Sequence, residues 1–485
     1  MWTLSEPFNG NQWWPCKQEL SDKADSSWVF VTTDSTNKVG SNGILTNVVN
    51  LGNGKARYEW KSRNPIDCYL ISVAVAKYVD YTFYCHPVGV DSLMVQNYVY
   101  DNPATLNNFK NIIDSTAQMI ELYSHLFGPY PFSNEKYGHS MAPLSGGMEH
   151  QTMTTLGYFD FMLTCHELAH MWFGDNVTCK TWSDIWINEG FASYGEYLSL
   201  EYLHSLAAAN SNMLSVYNNV MSQTGGSVYV PLADITDENR IFDSRLSYDK
   251  GSAIIHMLRF ELQDDTLFFN ILKTFQTQYN KSVSTGDDFK SVAETLSGKD
   301  FTDFFNQWYY GEGYPTYKVT WTQANDTLYF TSTQTTSSTV TPLFKMLMEY
   351  KLKSASGDTL IRVYQTDNVN NYKIPIHKTI TGIVVDPNNW VLNKVGTITN
   401  INEFENNIDF EISPNPCTDK LNINFSIPEK RNKTFVITDI TGRLIKTLNG
   451  NSDKQEINIE DLSKGIYFLK ISNGNSFIIK KFVKE

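Results

Sequence analysis

Residues 166–190 read HELAHMWFGDNVTCKTWSDIWINEG and place two of the chain's nine histidines four apart around a glutamate. On a helix four residues turn by about 400°, so the imidazoles of His166 and His170 project from one face and can share an ion. Glu167 points off that axis yet stays near enough to polarise a water held there. A His-Glu-x-x-His pattern arises by chance on the order of once per hundred chains of this size, so the pair alone does not make a metal site. The Asn-Glu-Gly beyond it changes the reading. Glu189 lies 19 residues past His170, on a second helical stretch, and offers a third, carboxylate ligand. Two His and one Glu leave one coordination position open, the form of a catalytic rather than a structural zinc site. A metal there lowers the pKa of its water to about 7, and Glu167 is placed to take the proton. Glu196, seven residues after Glu189, shares its helical face. It either orients a ligand imidazole from behind or is a solvated helix glutamate.

Helical patterns surround this stretch from about Asn102 to Trp308. FKNIIDSTAQMIELYSHLF has apolar residues at helical spacing, starts after Asn102-Pro103 and stops at Gly128-Pro129. The patterns resume in NEGFASYGEYLSLEYL, KGSAIIHMLRFEL and TDFFNQWYY, and Gly311 to Pro315 closes them. Residues 101–313 are therefore expected to form a mostly helical, metal-bearing domain. Ahead of it, WVFVTT, ARYEWKS, CYLISVAVAKYV and LMVQNYVY are β-branched and aromatic runs broken by Asn, Gly and Pro, so 1–100 reads as a β domain. Behind it, YKVTWTQ, TLYFTSTQ, MLMEYKLK, IRVYQT and GIVVD predict a β-sandwich over 314–397. A polar linker is expected at 398–409 and a small β module at 410–485. At 485 residues the chain exceeds what one core holds, and the expected class is a multidomain α+β protein.

Composition narrows the partners. A net charge of −13 argues against nucleic acid or an anionic membrane as the main partner. No apolar run approaches the roughly 18 residues that span a bilayer. Six cysteines are too few and too scattered for a disulfide framework or a Cys-based zinc ribbon; a single bridge between Cys68 and Cys85 is left open. The opening MWTLSEPFNGNQWWPCK has neither the basic nor the apolar region of a signal peptide.

HELAHMWFGDNVTCKTWSDIWINEGFASY resembles the aminopeptidase N family of gluzincin zinc metallopeptidases, which also contains the leukotriene A hydrolase type. The resemblance implies a thermolysin-like catalytic domain with one Zn2+ per chain, held by His166, His170 and Glu189, and Glu167 as the catalytic base. Three further stretches match. In SGGMEHQTM, residues Gly146, Gly147, Met148 and Glu149 match the family's GxMEN strand, whose glutamate holds the substrate's free α-ammonium; His150 stands where the family has Asn. Only 16 residues separate Glu149 from His166, fewer than in many relatives. Glycines there allow close backbone approach, and an open strand edge can pair with an extended peptide. In RLSYDKGSAIIHML, Tyr248 takes the place of the family tyrosine that donates a hydrogen bond to the oxyanion. A neutral phenol suits that work, since it does not titrate near neutral pH. In SEPFNGNQWWPC, Glu6 stands nine residues before Pro15 and corresponds to a second anionic anchor for the amine. The family carries a longer β domain ahead of this point, so the chain is expected to begin inside a longer precursor bearing a signal peptide.

The tail is similar to the C-terminal sorting domain of the type IX secretion pathway, on the strength of ISPNP, TFVITDITGRLIKTL, LSKGIYFLKIS and the Lys-rich last strand. That resemblance implies the type IX machinery as a partner and a secreted or cell-surface location after passage through the periplasm; the same strand pattern also suits a carbohydrate-binding or Ig-like sandwich. Nothing between the sandwich and the tail resembles the family's helical C-terminal domain, which implies a more open cleft. The expected function is hydrolysis of the first peptide bond of peptides with a free N-terminus. The alternatives are a zinc endopeptidase or epoxide hydrolase on the same scaffold, and a non-enzymatic surface-binding protein.

Overall fold

The computed structural model describes residues 1–400, 410–425, 433–472 and 477–485. The N-terminal region holds a three-stranded antiparallel sheet in the order Ser27–Asp34, Lys55–Ser62, Ile44–Gly52. The first segment of the chain runs along the strand Val73–Ala76, with Val75 N–H donating to Met1 O at 2.8 Å and Thr3 N–H to Val73 O at 3.1 Å. That pairing fixes where Glu6 leaves the sheet.

A five-stranded sheet forms the wall of the site, in the order Tyr78–Cys85, Leu93–Tyr100, Tyr137–Met141, Thr154–Leu156, Gly147–Met148. Its first two strands lie before residue 100 and its last three after it, so the sheet crosses the boundary expected at 100/101. The reason is a crossover. Strand Leu93–Tyr100 pairs in parallel with Tyr137–Met141, and parallel neighbours require a long connection between them. Helix α1 (Pro103–Phe127) supplies it. The composition shift at Asn102 marks the start of a helix, not the end of a sheet. α1 begins and ends where the sequence signals it: the Asn102 side chain accepts from Ala104 N–H at 3.1 Å, a cap worth about 1 kcal/mol, and Gly128 terminates it with φ 105°.

Helices α2 (Phe161–Ala169) and α3 (Trp186–Leu203) pack on one another beside this sheet. Asp160 caps α2, accepting from Met162 N–H at 2.9 Å and Leu163 N–H at 3.3 Å. The helix Gly251–Leu262 also packs on α3, and the two meet through glycines. A Cβ on Gly190 would stand 3.0 Å from Gly251 Cα, so any side chain at either position would push the helices apart. The Gly of Asn-Glu-Gly and the Gly of Lys-Gly therefore serve one close crossing, which brings the segment Ser244–Lys250 up to the first turn of α3. That segment is π-helical.

Beyond the helices, a four-stranded sheet ordered Val369–Pro375, Thr327–Thr336, Pro315–Ala324, Lys394–Asn400 packs on a three-stranded one ordered Thr359–Gln365, Met346–Lys353, Gly382–Val385. Phe330 and Tyr350 meet between them with ring centroids 5.0 Å apart. One buried cluster runs continuously from Leu20 to Leu392. The strand Lys394–Asn400 extends into the linker expected at 398–409, whose residues 401–409 lie outside the described residues. The tail has its own core, with Phe410, Leu421, Ile437, Leu469 and Phe482 at its centre, between sheets of three and four strands. All six cysteines are free, so the bridge left open between Cys68 and Cys85 is not formed.

Candidate metal centre and active site

α2 presents His166 and His170 on the face it turns toward α3, and Glu189 stands in the first turn of α3. His166 Nε2 lies 3.3 Å from Glu189 Oε2, and His170 Nε2 lies 3.4 Å from the same oxygen. The other ring nitrogens point outward to protein acceptors: His166 Nδ1 to Glu196 Oε1 at 2.8 Å, and His170 Nδ1 to Phe173 O at 3.0 Å. Each imidazole is thereby held with Nε2 aimed inward. Of the two readings of Glu196, its geometry is that of a carboxylate behind a ligand imidazole.

The three donors fit a tetrahedral cation. Atoms bound at about 2.0–2.1 Å to a tetrahedral centre stand about 3.3–3.4 Å apart, which are the separations found here. Two imidazole nitrogens and one carboxylate oxygen, all within 4.8 Å of one another and buried, are also the donor types zinc takes. The charges around these donors balance one another. Burial pushes the Glu189 carboxyl up, yet the His170 charge and hydrogen bonds from both imidazoles override it and hold it down at about 2. Burial pushes the His170 imidazolium down, and the charges of Glu149 and Glu189 outweigh this and carry it to about 9.

Glu167 is buried beside this centre, and one of its oxygens, Oε2, has no hydrogen-bond partner among the described residues. Burial pushes it up to about 8 against the charges of His166 and His170. Gly147 faces it so closely that a Cβ there would collide with the carboxylate. Gly147 and Met148 form the short antiparallel strand paired with Thr154–Leu156, and Gly146 precedes it with φ 122°. Glu149 follows, buried, with Oε1 unpartnered among the described residues. Glu6 arrives from the other side of the site. A carboxylate oxygen from each of Glu6, Glu149 and Glu189 falls within one 4.8 Å group. Burial first, then the charges of Glu149, Glu189 and Glu167, push the Glu6 carboxyl well up.

Tyr248 comes from the π-helical segment, its ring stacked on His166 with centroids 5.9 Å apart. Burial and the surrounding carboxylates raise its phenol well above the ordinary value, so it holds its proton. His150, the departure from the family pattern, is buried and turned away: Nδ1 meets Thr155 Oγ1 at 2.8 Å, and burial lowers its pKa to about 3, leaving it neutral. The structure thus brings together His166, His170, Glu189, Glu167, Glu149, Glu6 and Tyr248 from five separate segments. Lys23, Asp67 and Tyr69, with buried side chains beneath the ligand segments, were not singled out by the sequence; Lys23 and Asp67 sit in irregular segments and Tyr69 in the one-turn 3-10 helix Cys68–Leu70, with no local pattern to mark them.

Comparison with known proteins agrees with this geometry. Residues 112–308 match the peptidase family M1 domain, and residues 411–485 match a secretion system C-terminal sorting domain. The chain is 32% identical over 235 residues to aminopeptidase N of Lactococcus lactis subsp. lactis, covering 43% of this chain and 27% of that protein. It is 26% identical over 311 residues to endoplasmic reticulum aminopeptidase 1 of Mus musculus, covering 60% of this chain and 33% of that protein. The chain therefore spans about a third or less of the length of these curated relatives. Among solved structures, a mutant M1 zinc metallopeptidase from Deinococcus radiodurans bound to a Tyr-Ser-Ala substrate superposes with a TM-score of 0.55 at 25% identity, covering 61% of this chain and 66% of that one. Resembling aminopeptidase N in its sequence and M1 zinc metallopeptidases in its fold, the chain carries a peptidase family M1 domain over residues 112–308 and a secretion system C-terminal sorting domain over residues 411–485.

Proposed function

We propose that this chain is an exported zinc aminopeptidase that removes the first residue from peptides with a free N-terminus. The observation that carries the reading is the set of carboxylates beside the metal ligands. Glu6 and Glu149 each keep a buried oxygen without a partner among the described residues, and a carboxylate oxygen of each falls in one small group with Glu189. Buried carboxylates this close repel one another and call for a cation. A substrate ammonium supplies one, and its capture fixes the register at one residue from the end.

His166 Nε2, His170 Nε2 and a Glu189 carboxylate oxygen would hold zinc, which would supply Lewis acidity to a water and to the scissile carbonyl. The chain's own residues do the rest. Glu149 and Glu6 bind the α-ammonium. Glu167 accepts the proton of the attacking water and passes it to the leaving amine, a task open to a carboxylate buried beside the metal ligands. Tyr248 donates its phenolic hydrogen to the oxygen that becomes negative as the carbonyl is attacked. Glu196 and the Phe173 carbonyl keep the two imidazoles in the tautomer that leaves Nε2 free. The sorting-domain match supports export to a secreted or cell-surface location, and the tail's resemblance to type IX sorting domains supports that machinery as the partner.

The test uses a panel of aminoacyl fluorogenic amides beside their N-acetylated twins, with chelator and then zinc added back. Chelator-sensitive cleavage confined to the free amines is expected. Cleavage of the acetylated twins would move the chain to an endopeptidase, and no cleavage at all would favour a binding protein.

A further inference from the structure

We propose that Lys23, Asp67 and Tyr69 are positioning residues for the metal ligands, a brace built by the N-terminal region under both ligand-bearing segments; the proposal rests on the zinc reading above. Lys23 is a lysine whose side chain is only 6% exposed, paired at 3.3 Å with Asp67, whose side chain is 1% exposed. Its Nζ donates to the backbone oxygen of Asp175 at 2.7 Å and approaches that of Asn176 at 3.5 Å. Those carbonyls belong to the loop that leaves α2 directly after His170. Asp67 reaches the same loop by a second route. Its Oδ2 accepts from Thr178 Oγ1 at 2.9 Å, and that hydroxyl also contacts Gly174 O. The cation and its counter-charge thus hold three consecutive carbonyls, Gly174 to Asn176, just past the C-terminal end of α2, where positive charge is favoured.

That loop carries the carbonyl that orients His170. Phe173 O accepts from His170 Nδ1 at 3.0 Å, and Gly174 passes so near that a Cβ there would stand 3.0 Å from the same Nδ1. A shift of the loop is therefore a rotation of the ring that must aim Nε2 at the ion. Tyr69, two residues after Asp67, treats the third ligand in the same way. Its hydroxyl accepts from Asn188 Nδ2 at 3.2 Å, and Asn188 Oδ1 accepts from Cys179 N–H at 3.0 Å. Asn188 is the residue before Glu189. One turn of the N-terminal region, Asp67 to Tyr69, thereby touches the supports of His170 and of Glu189 together. The whole pairing is buried, where an ion pair and its hydrogen bonds hold geometry firmly and losing one partner is costly.

The experiment strips the purified full chain of metal and measures zinc affinity by competition with a chromogenic chelator, alongside the melting temperature of each stripped protein. Two variants are used: Tyr69→Phe, which removes only the acceptor for Asn188, and the double change Lys23→Met with Asp67→Asn, which removes cation and counter-charge together. Each is expected to bind zinc about 10-fold more weakly than the parent, the usual loss when the support of a ligand is removed, and to alter the visible spectrum of the cobalt-substituted protein. Tyr69→Phe is expected to do so with the stripped protein melting close to the parent. If the double variant does not fold, Tyr69→Phe decides alone. Variants that melt lower yet bind zinc as tightly as the parent, with an unchanged cobalt spectrum, would reduce the brace to ordinary packing and overturn the proposal. A parent that takes up no zinc would instead sink the peptidase reading on which the proposal stands.

Discussion

His166 and His170 each engage Nδ1 with a protein acceptor and turn Nε2 toward a shared oxygen of Glu189, whereas Glu6 and Glu149 each keep a buried oxygen with no partner among the described residues. The two halves of the site carry buried charge in opposite ways. The metal half is satisfied on its outer side and pre-aimed on its inner side, so its geometry is set before any ion arrives. The proposed anchor half has buried oxygens without a partner among the described residues, an arrangement that suits the capture of a cationic group. A resident cofactor needs the first arrangement; a substrate that must come and go needs the second.

The largest expected effects test whether the two halves meet in one reaction. Glu167→Gln keeps the shape but removes the base, and kcat is expected to fall by about 10³-fold, within the range for general acid–base catalysis, with zinc content by metal analysis unchanged. A variant that stayed active would mean that the proton goes elsewhere. Tyr248→Phe removes one hydrogen-bond donor to the oxyanion, and a loss of about 10²-fold in kcat is expected with KM little altered; a change in KM alone would recast Tyr248 as a packing residue. The comparison itself is sharpened by Glu149→Gln. Loss of a charged hydrogen-bond acceptor should lower kcat/KM on free-amine substrates by about 10–100-fold and leave the zinc affinity of the stripped protein where it was. A matching loss of zinc affinity would mean that Glu149 supports the metal half rather than anchoring an amine.

The metal half was legible because its signal is local. An i, i+4 pair on α2 and a glutamate at the head of the next helix need only helical geometry to be placed together. The anchor half was legible only through resemblance: Glu6 stands in a non-helical segment 143 positions before Glu149, and no period links them. The brace was not legible at all, since Lys23 reaches the loop after α2 across 152 positions. Two boundaries were misjudged for a related reason. Strands before and after residue 100 look alike in sequence, and only the parallel pairing of Val95 with Tyr137 puts them in one sheet. The strand Lys394–Asn400 is exposed along its whole length, so no alternation marks it; it exists by backbone pairing with Pro315–Ala324.

The smallest expected effect separates the stripped protein from the loaded one by pH. In the metal-free site the His170 pKa is raised from an ordinary 6.5 to about 9. A group raised on folding contributes stability that is full below its unfolded pKa and is lost as pH rises through the folded one. The stripped protein should therefore lose this contribution between about pH 6.5 and 9. Glu167 acts in the same direction. Its carboxyl is raised from 4.5 to about 8, so the folded chain holds a proton the unfolded chain has released, and stability falls as pH climbs through that window. Zinc reverses the sign, because it needs both imidazoles deprotonated and binds more tightly as the competing protons leave. Melting curves of stripped and zinc-loaded protein from pH 6 to 9 should accordingly diverge, by about a few degrees at the alkaline end. Parallel curves would mean that the protons of the stripped protein do not sit on His170 and Glu167, and that the charges of Glu149 and Glu189 do not hold His170 protonated.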